Sequence, residues 1–355
     1  FGYLGDRYGR RLALAVSILM MGVPTACIGL LPGYETIGIW APILLTLIRL
    51  LQGISLGGEF SGSMTFVVEH APASRRALAG STSLLSMNMG ILAGSLMVAA
   101  LSSWLGEAAF KEWGWRLPFI FGFVISIVGL YIRSHLEESP TYLHAKENGH
   151  LSQTPVREAV TKHWQAMLVG GAAFLTVTMP FYTLIVYLKS YMTQYLNWDS
   201  STIQWINSLN IVVMLLVTIP VALVADRIGR KPVLLSSAAL LAVAIIPIFI
   251  GLQSPSFTVI LIANICFSLI LGVYITPVAA LLVEIFPTTI RYTGMALAYN
   301  ICAAAFGGTA PMVHTWLIQY TGNALMPAFY ILITSCITII VLYRWYDDRY
   351  REPLA

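Results

Sequence analysis

The sequence predicts an all-α protein that crosses a membrane many times and consists of two similar helical halves. A depleted charge content, a series of long apolar runs and an internal repeat carry that prediction.

Of the 355 residues, 57% are hydrophobic and only 10% are charged, and the mean hydropathy is +0.77. A soluble domain carries about 25% charged residues. Even a large buried core needs a charged shell, and only a hydrocarbon surrounding removes that need. The net charge of +4 follows no basic stripe, so no nucleic-acid partner is expected. Cys27, Cys266, Cys302 and Cys336 all lie in apolar runs without a CxxC pair and read as packing residues.

Ten apolar runs are long enough to span a bilayer: roughly Leu12–Leu31, Ala41–Val68, Ala79–Trp104, Leu117–Arg133, Ala166–Leu188, Ile203–Ala225, Pro232–Leu252, Thr258–Val283, Thr293–Ile318 and Met326–Tyr343. Pro180, Pro220, Pro247, Pro277 and Pro311 fall inside them, which membrane helices tolerate.

Basic residues gather in alternate loops and hold 16 of the 20 Lys and Arg. Lys111, Arg116 and Lys189 lie on the other side, and Arg49 lies within a span. The positive-inside rule turns the rich side to the cytoplasm. An even number of spans then puts both ends of the chain there. Residues 1–134 form an N-terminal bundle, 135–164 a cytoplasmic connector, 165–346 a C-terminal bundle and 347–355 a cytoplasmic tail.

The halves repeat. GYLGDRYGRR (Gly2–Arg11) returns 220 positions later as ALVADRIGRK (Ala222–Lys231). VVEHAPASRRALAG (Val67–Gly80) returns as LVEIFPTTIRYTG (Leu282–Gly294), with Glu69 on Glu284, Pro72 on Pro287 and Arg76 on Arg291, an offset of 215. Two unrelated segments at nearly one offset describe a parallel repeat, the architecture of transporters with two six-helix halves. Two spans precede Asp226 and none precedes Asp6, so the symmetry expects two further helices before Phe1, twelve in all.

At these residues the chain resembles a family. GYLGDRYGRR resembles the loop between the second and third helices of the major facilitator superfamily. RLLQGISLGGE (Arg49–Glu59) resembles its fourth-helix motif as found in the metabolite:proton symporter branch. LPGYETIGIWAP, EWGWRLPF, LEESP and FPTTIRY resemble the same branch. The resemblance implies the major facilitator fold of two six-helix bundles, here with the first two helices absent. It also implies proton-coupled symport of a small polar organic solute by alternating access in a bacterial inner membrane. The branch includes carriers of proline and betaine and of 2-oxoglutarate, citrate and shikimate. Ala222 departs from the glycine that the second loop motif prefers, which could loosen a close helix contact. Uniport, antiport and a non-transporting sensor stay open.

Other classes lack their residues. No GxxxxGK[ST] loop, nucleophile elbow or clustered His/Cys/Glu set is present. No enzyme, metal or cofactor is expected, and the expected partners are a small solute, protons and the bilayer, with the protein acting as a monomer.

Candidate site residues fall into two groups. By resemblance Arg49 is an arginine tied to proton coupling; its plainer role is to satisfy helix carbonyls. Glu59 lies about 15 Å further along the helix, too far for direct contact. A carboxyl in an apolar site has a raised pKa and can carry a proton; otherwise Glu59 packs helices beside Gly57 and Gly58. Tyr182, Tyr187, Tyr191, Tyr195 and Trp198 read mostly as an interfacial belt, with Tyr182 the deepest and able to face a cavity. Aromatic rings there could cage a quaternary ammonium. Lys189 could attract a carboxylate, and His314 is a packing residue or a proton contact. The second group is Asp6, Arg10, Glu69 and Arg76, repeated as Asp226, Arg230, Glu284 and Arg291. These read as topology determinants or as two conformational latches between cytoplasmic helix ends. Taken as partly exposed, each pair is worth about 0.5–2 kcal/mol.

Overall fold

A computed structural model describes residues 1–148, 152–196, 198 and 200–354. Among them, ten helices are long and apolar enough to cross a membrane. They are α1 (Arg10–Leu30), α2 (Trp40–Glu69), α3 (Ala73–Leu105), α4 (Gly114–Ser134), α5 (Trp164–Gln194), α6 (Thr202–Ile228), α7 (Arg230–Leu252), α8 (Phe257–Ile285), α9 (Arg291–Thr321) and α10 (Met326–Trp345). A short helix, Gly2–Tyr8, precedes α1. No strand occurs among the described residues.

The repeat is visible in the packing. α1 packs on α2 and α4 in the first half, and α7 on α8 and α10 in the second. The halves meet along two mirrored seams: α3 lies on α6 and α8, and α2 and the helix Gly2–Tyr8 lie on α9. Gly5 presses its backbone against the Tyr292 ring, where no Cβ could fit. In the partner seam Ala222 stands for Gly2 and Ala225 for Gly5, and both are fully buried, so the departure from glycine does not open the contact. Little of α2, α3 and α4 is buried by protein, whereas α5 and α8 are mostly buried. Leu44, Leu47, Leu50, Leu51 and Ile54 of α2 are exposed.

Two helices contain a π-turn inside their predicted spans. In α5 the turn covers Thr183–Tyr187, and in α9 it covers Ala303–Gly308. The turns adjoin, because Gly307 lies against Thr178 and Tyr182. The wider turn carries Tyr187 and Tyr191 inward, 2% and 0% exposed, so neither belongs to the predicted interfacial belt. Tyr191 instead donates to the Ala324 carbonyl at 3.2 Å. The side chain of Tyr195 lies outside the described residues.

Candidate functional site

The eight charged residues of the repeated motifs gather into two clusters at the helix ends of one face. In the first, Arg10 contacts Asp6 at 2.6 Å and Glu69 at 3.5 Å, and Arg291 of α9 reaches Glu69 at 2.8 Å. Asp6 also accepts the Tyr292 and Thr293 amides at 3.1 and 2.8 Å, capping α9 from the opposite half. In the second, Arg230 contacts Asp226 at 3.3 Å and Glu284 at 2.8 Å, and Arg76 of α3 lies 3.7 Å from Glu284. Asp226 accepts the Ala77 and Leu78 amides at 2.8 and 3.0 Å, capping α3. Each cluster therefore joins the two halves, and each uses the same residue types in the same order.

The clusters are not partly exposed as expected. Arg10, Arg230 and Arg291 are each 0% exposed. Burial raises the Asp6 carboxyl pKa, while Arg10 and the bonds from Thr293 pull it down.

The sequence reading missed a second layer. Glu138 accepts the Arg10 and Arg11 amides at 3.0 and 3.2 Å, capping α1. Asp348 accepts the Lys231 amide at 2.8 Å, capping α7. Both caps approach a glycine with positive φ, Gly9 at 114° and Gly229 at 100°, and a side chain there would strike the carboxylate. Ser139 donates to Glu69 at 2.5 Å. The LEESP match was the available signal for Glu138 and Ser139.

The residues suggested for proton coupling separate. Glu59 pairs with Arg133 of α4 and accepts from Ser17 of α1 at 2.6 Å. Its side chain is 26% exposed, so it is an ion-paired carboxylate, not an isolated one in an apolar site. Arg133 also donates to the Leu14 carbonyl at 3.0 Å. Arg49 is exposed and donates to Gln52 at 3.3 Å, which in turn donates to Thr25 at 2.8 Å.

A cavity of about 170 Å³ lies between the halves. Phe60 of α2 and Asn88 of α3 supply one wall, and Phe174, Thr178 and Tyr182 of α5 with Tyr299 of α9 supply the other. Among the described residues no Asp, Glu, Lys, Arg or His lines it. Phe60 stacks on Tyr299 with ring centres 4.5 Å apart, and Phe174 stands edge-on to both at 5.8 and 4.8 Å. Phe174 lies ten residues into α5 and Tyr299 eight into α9, about 15 and 12 Å from the charged face. The rings therefore floor the cavity above the clusters.

Of the predicted cavity residues only Tyr182 lines it. Lys189 is exposed beside a small separate recess with Asn207, Asn210 and Asn264. His314 is 0% exposed within the second half, 2.8 Å from the Thr183 hydroxyl and against the rings of Tyr187 and Tyr330.

Known proteins are similar to this chain in sequence and fold. The profile of the "Sugar (and other) transporter" family matches residues 1–162, and that of the "Major Facilitator Superfamily" matches residues 170–355. The "Glycine betaine/proline/ectoine/pipecolic acid transporter OusA" of Dickeya dadantii (strain 3937) is 36% identical over 350 residues, which are 96% of this chain and 70% of that protein. The "Proline/betaine transporter" of Escherichia coli (strain K12) has the same identity and coverage, 36%, 96% and 70%. A solved structure of the proton:xylose symporter XylE superposes with a TM-score of 0.81 at 18% identity, covering 99% of this chain and 83% of that one. The fold is thus that of two paired helical bundles, and the relatives are transporters, not enzymes. With relatives this similar along nearly its whole length, the chain belongs to the major facilitator superfamily of multi-pass membrane transporters.

Proposed function

We propose that this protein is a proton-coupled symporter of a small, net-neutral zwitterionic osmolyte, working by alternating access, and that it stands here shut on its cytoplasmic face. The observation that carries the reading is the crossed pair of charge clusters. Each joins helix ends of opposite halves, both lie on one face, and a cavity walled by both halves lies above them. Breaking such contacts on one side and closing the other is what a carrier of two repeated bundles needs.

The side assignment rests on the basic residues that fill this face, which the positive-inside rule turns to the cytoplasm. A functional monomer in a bacterial inner membrane completes the reading. The solute class follows from the cavity wall. A net anion there would lose its hydration with no charge to meet it, which disfavours 2-oxoglutarate and citrate. The relatives' names, glycine betaine and proline, point the same way. Glu59, an ion-paired carboxylate within a span, is the visible group suited to carry the proton.

The test is uptake of labelled glycine betaine, proline, 2-oxoglutarate, citrate and shikimate in proteoliposomes, with and without an imposed pH gradient. Gradient-driven accumulation of a zwitterion is expected. Accumulation that ignores the gradient, or that is confined to the acids, overturns the reading.

A further inference from the structure

We propose that Phe60, Phe174 and Tyr299 form the seat for the cationic head of the solute, and that this seat selects a quaternary ammonium. The inference rests on the symport reading only for the presence of a zwitterion in the cavity. Among the described residues the cavity offers a cation no carboxylate, because no acidic side chain lines it. What it offers is ring surface. A quaternary ammonium has no N–H to donate and is held best by ring faces in a site that excludes water.

The three rings are arranged for this. Phe60 and Tyr299 stack at 4.5 Å and 25°, so each keeps one face turned away from the other. Phe174 stands at 80° and 88° to them and closes the corner. The other end of the solute meets different chemistry. Thr178 is 3% exposed and Asn88 is 5% exposed, and both line the cavity. The Thr178 hydroxyl is buried without a hydrogen-bond partner, a group that a solute carboxylate would satisfy. Thr178 stands one helical turn, about 6 Å, beyond Phe174 in α5, and rings with donors at that spacing fit a short zwitterion.

The seat is also divided. Phe60 comes from the first half, and Phe174 and Tyr299 from the second. A bound cation therefore draws the halves together, and separating them dismantles the seat.

The experiment is equilibrium binding of labelled glycine betaine to the purified protein, competed by 3,3-dimethylbutanoate. That competitor keeps the shape and the carboxylate but replaces the charged nitrogen with carbon. The parent should bind betaine at least tenfold more tightly than the isostere. Phe60→Leu and Phe174→Leu should each weaken betaine at least tenfold and leave the isostere unchanged. Phe60→Tyr, which keeps a ring, should bind betaine as the parent does and controls for misfolding. Equal loss of both ligands in the leucine variants, unchanged betaine affinity in them, or a parent that does not tell the two ligands apart would each overturn the seat. A parent that binds betaine through these rings yet shows no gradient-driven uptake would support the seat and overturn the symport reading.

Discussion

Arg291 of α9 meets Glu69 of α2 at 2.8 Å, with both side chains 0% exposed. The pair thus ties the two halves together in a place without water. Removing one partner of a buried ion pair costs about 3–5 kcal/mol, because the other charge is stranded. Arg291→Ala should therefore open the face that carries the clusters strongly, by more than the surface-pair range would give. Cysteines placed on α2 and α9 below the cavity should label from that side in the variant and stay protected in the parent. Unchanged labelling would mean that these charges orient the helices and do not latch them.

The second cluster is the weaker of the two. Glu69 takes Arg291, Arg10 and Ser139, whereas Glu284 takes Arg230 at 2.8 Å and Arg76 only at 3.7 Å. One Glu284 carboxylate oxygen is buried without a hydrogen-bond partner. Arg76→Ala should shift the labelling less than Arg291→Ala. An equal or larger shift would contradict the ranking.

The glycines at the loop turns allow a third check. Gly9 and Gly229 have φ of 114° and 100° with ψ of 152° and 168°, a region nearly closed to other residues and costing about 1–3 kcal/mol. An alanine there would also displace the Glu138 or Asp348 cap. Gly9→Ala and Gly229→Ala should each lower the melting temperature of the detergent-solubilised protein. Asp348→Ala should lower it by less, since losing a helix cap costs about 0.5–2 kcal/mol.

Glu59→Gln keeps the shape and the hydrogen bond from Ser17 but removes the titrating group and the pairing charge of Arg133. It should abolish accumulation driven by a pH gradient and leave solute exchange across the membrane partly intact. A variant that concentrates solute as the parent does would make the Glu59–Arg133 pair a helix tie and nothing more.

The large outline was legible in the sequence because a membrane chain has few charges and places them at helix ends. The spans and the repeat follow from where Asp6, Glu69, Arg76 and their counterparts stand, but the sequence groups Arg76 with Asp6 and Arg291 with Asp226, whereas each of these two arginines crosses to the cluster of the opposite half. The burial of those clusters was not legible, since it depends on two halves closing over them. Glu59 gave no sign of Arg133, 74 positions away. Phe60, Phe174 and Tyr299 are scattered among many aromatics that pack helices, and only the fold selects them. Lys189 and His314 could be located along their spans but not around them. A π-turn adds one residue to its turn and rotates the remainder of the helix by about 100°. That offset separates Lys189 from the face that carries Tyr182.

The four acidic caps differ in reach, and this has a mechanical result. Glu138 and Asp348 fasten the segment leaving the last helix of a half to a helix start in that same half. Asp6 and Asp226 fasten across. Each half is thereby bracketed as a stiff block, and deformation is steered to the plane between the blocks. Movement between the two blocks is the expected mode of opening, ahead of bending of the individual helices.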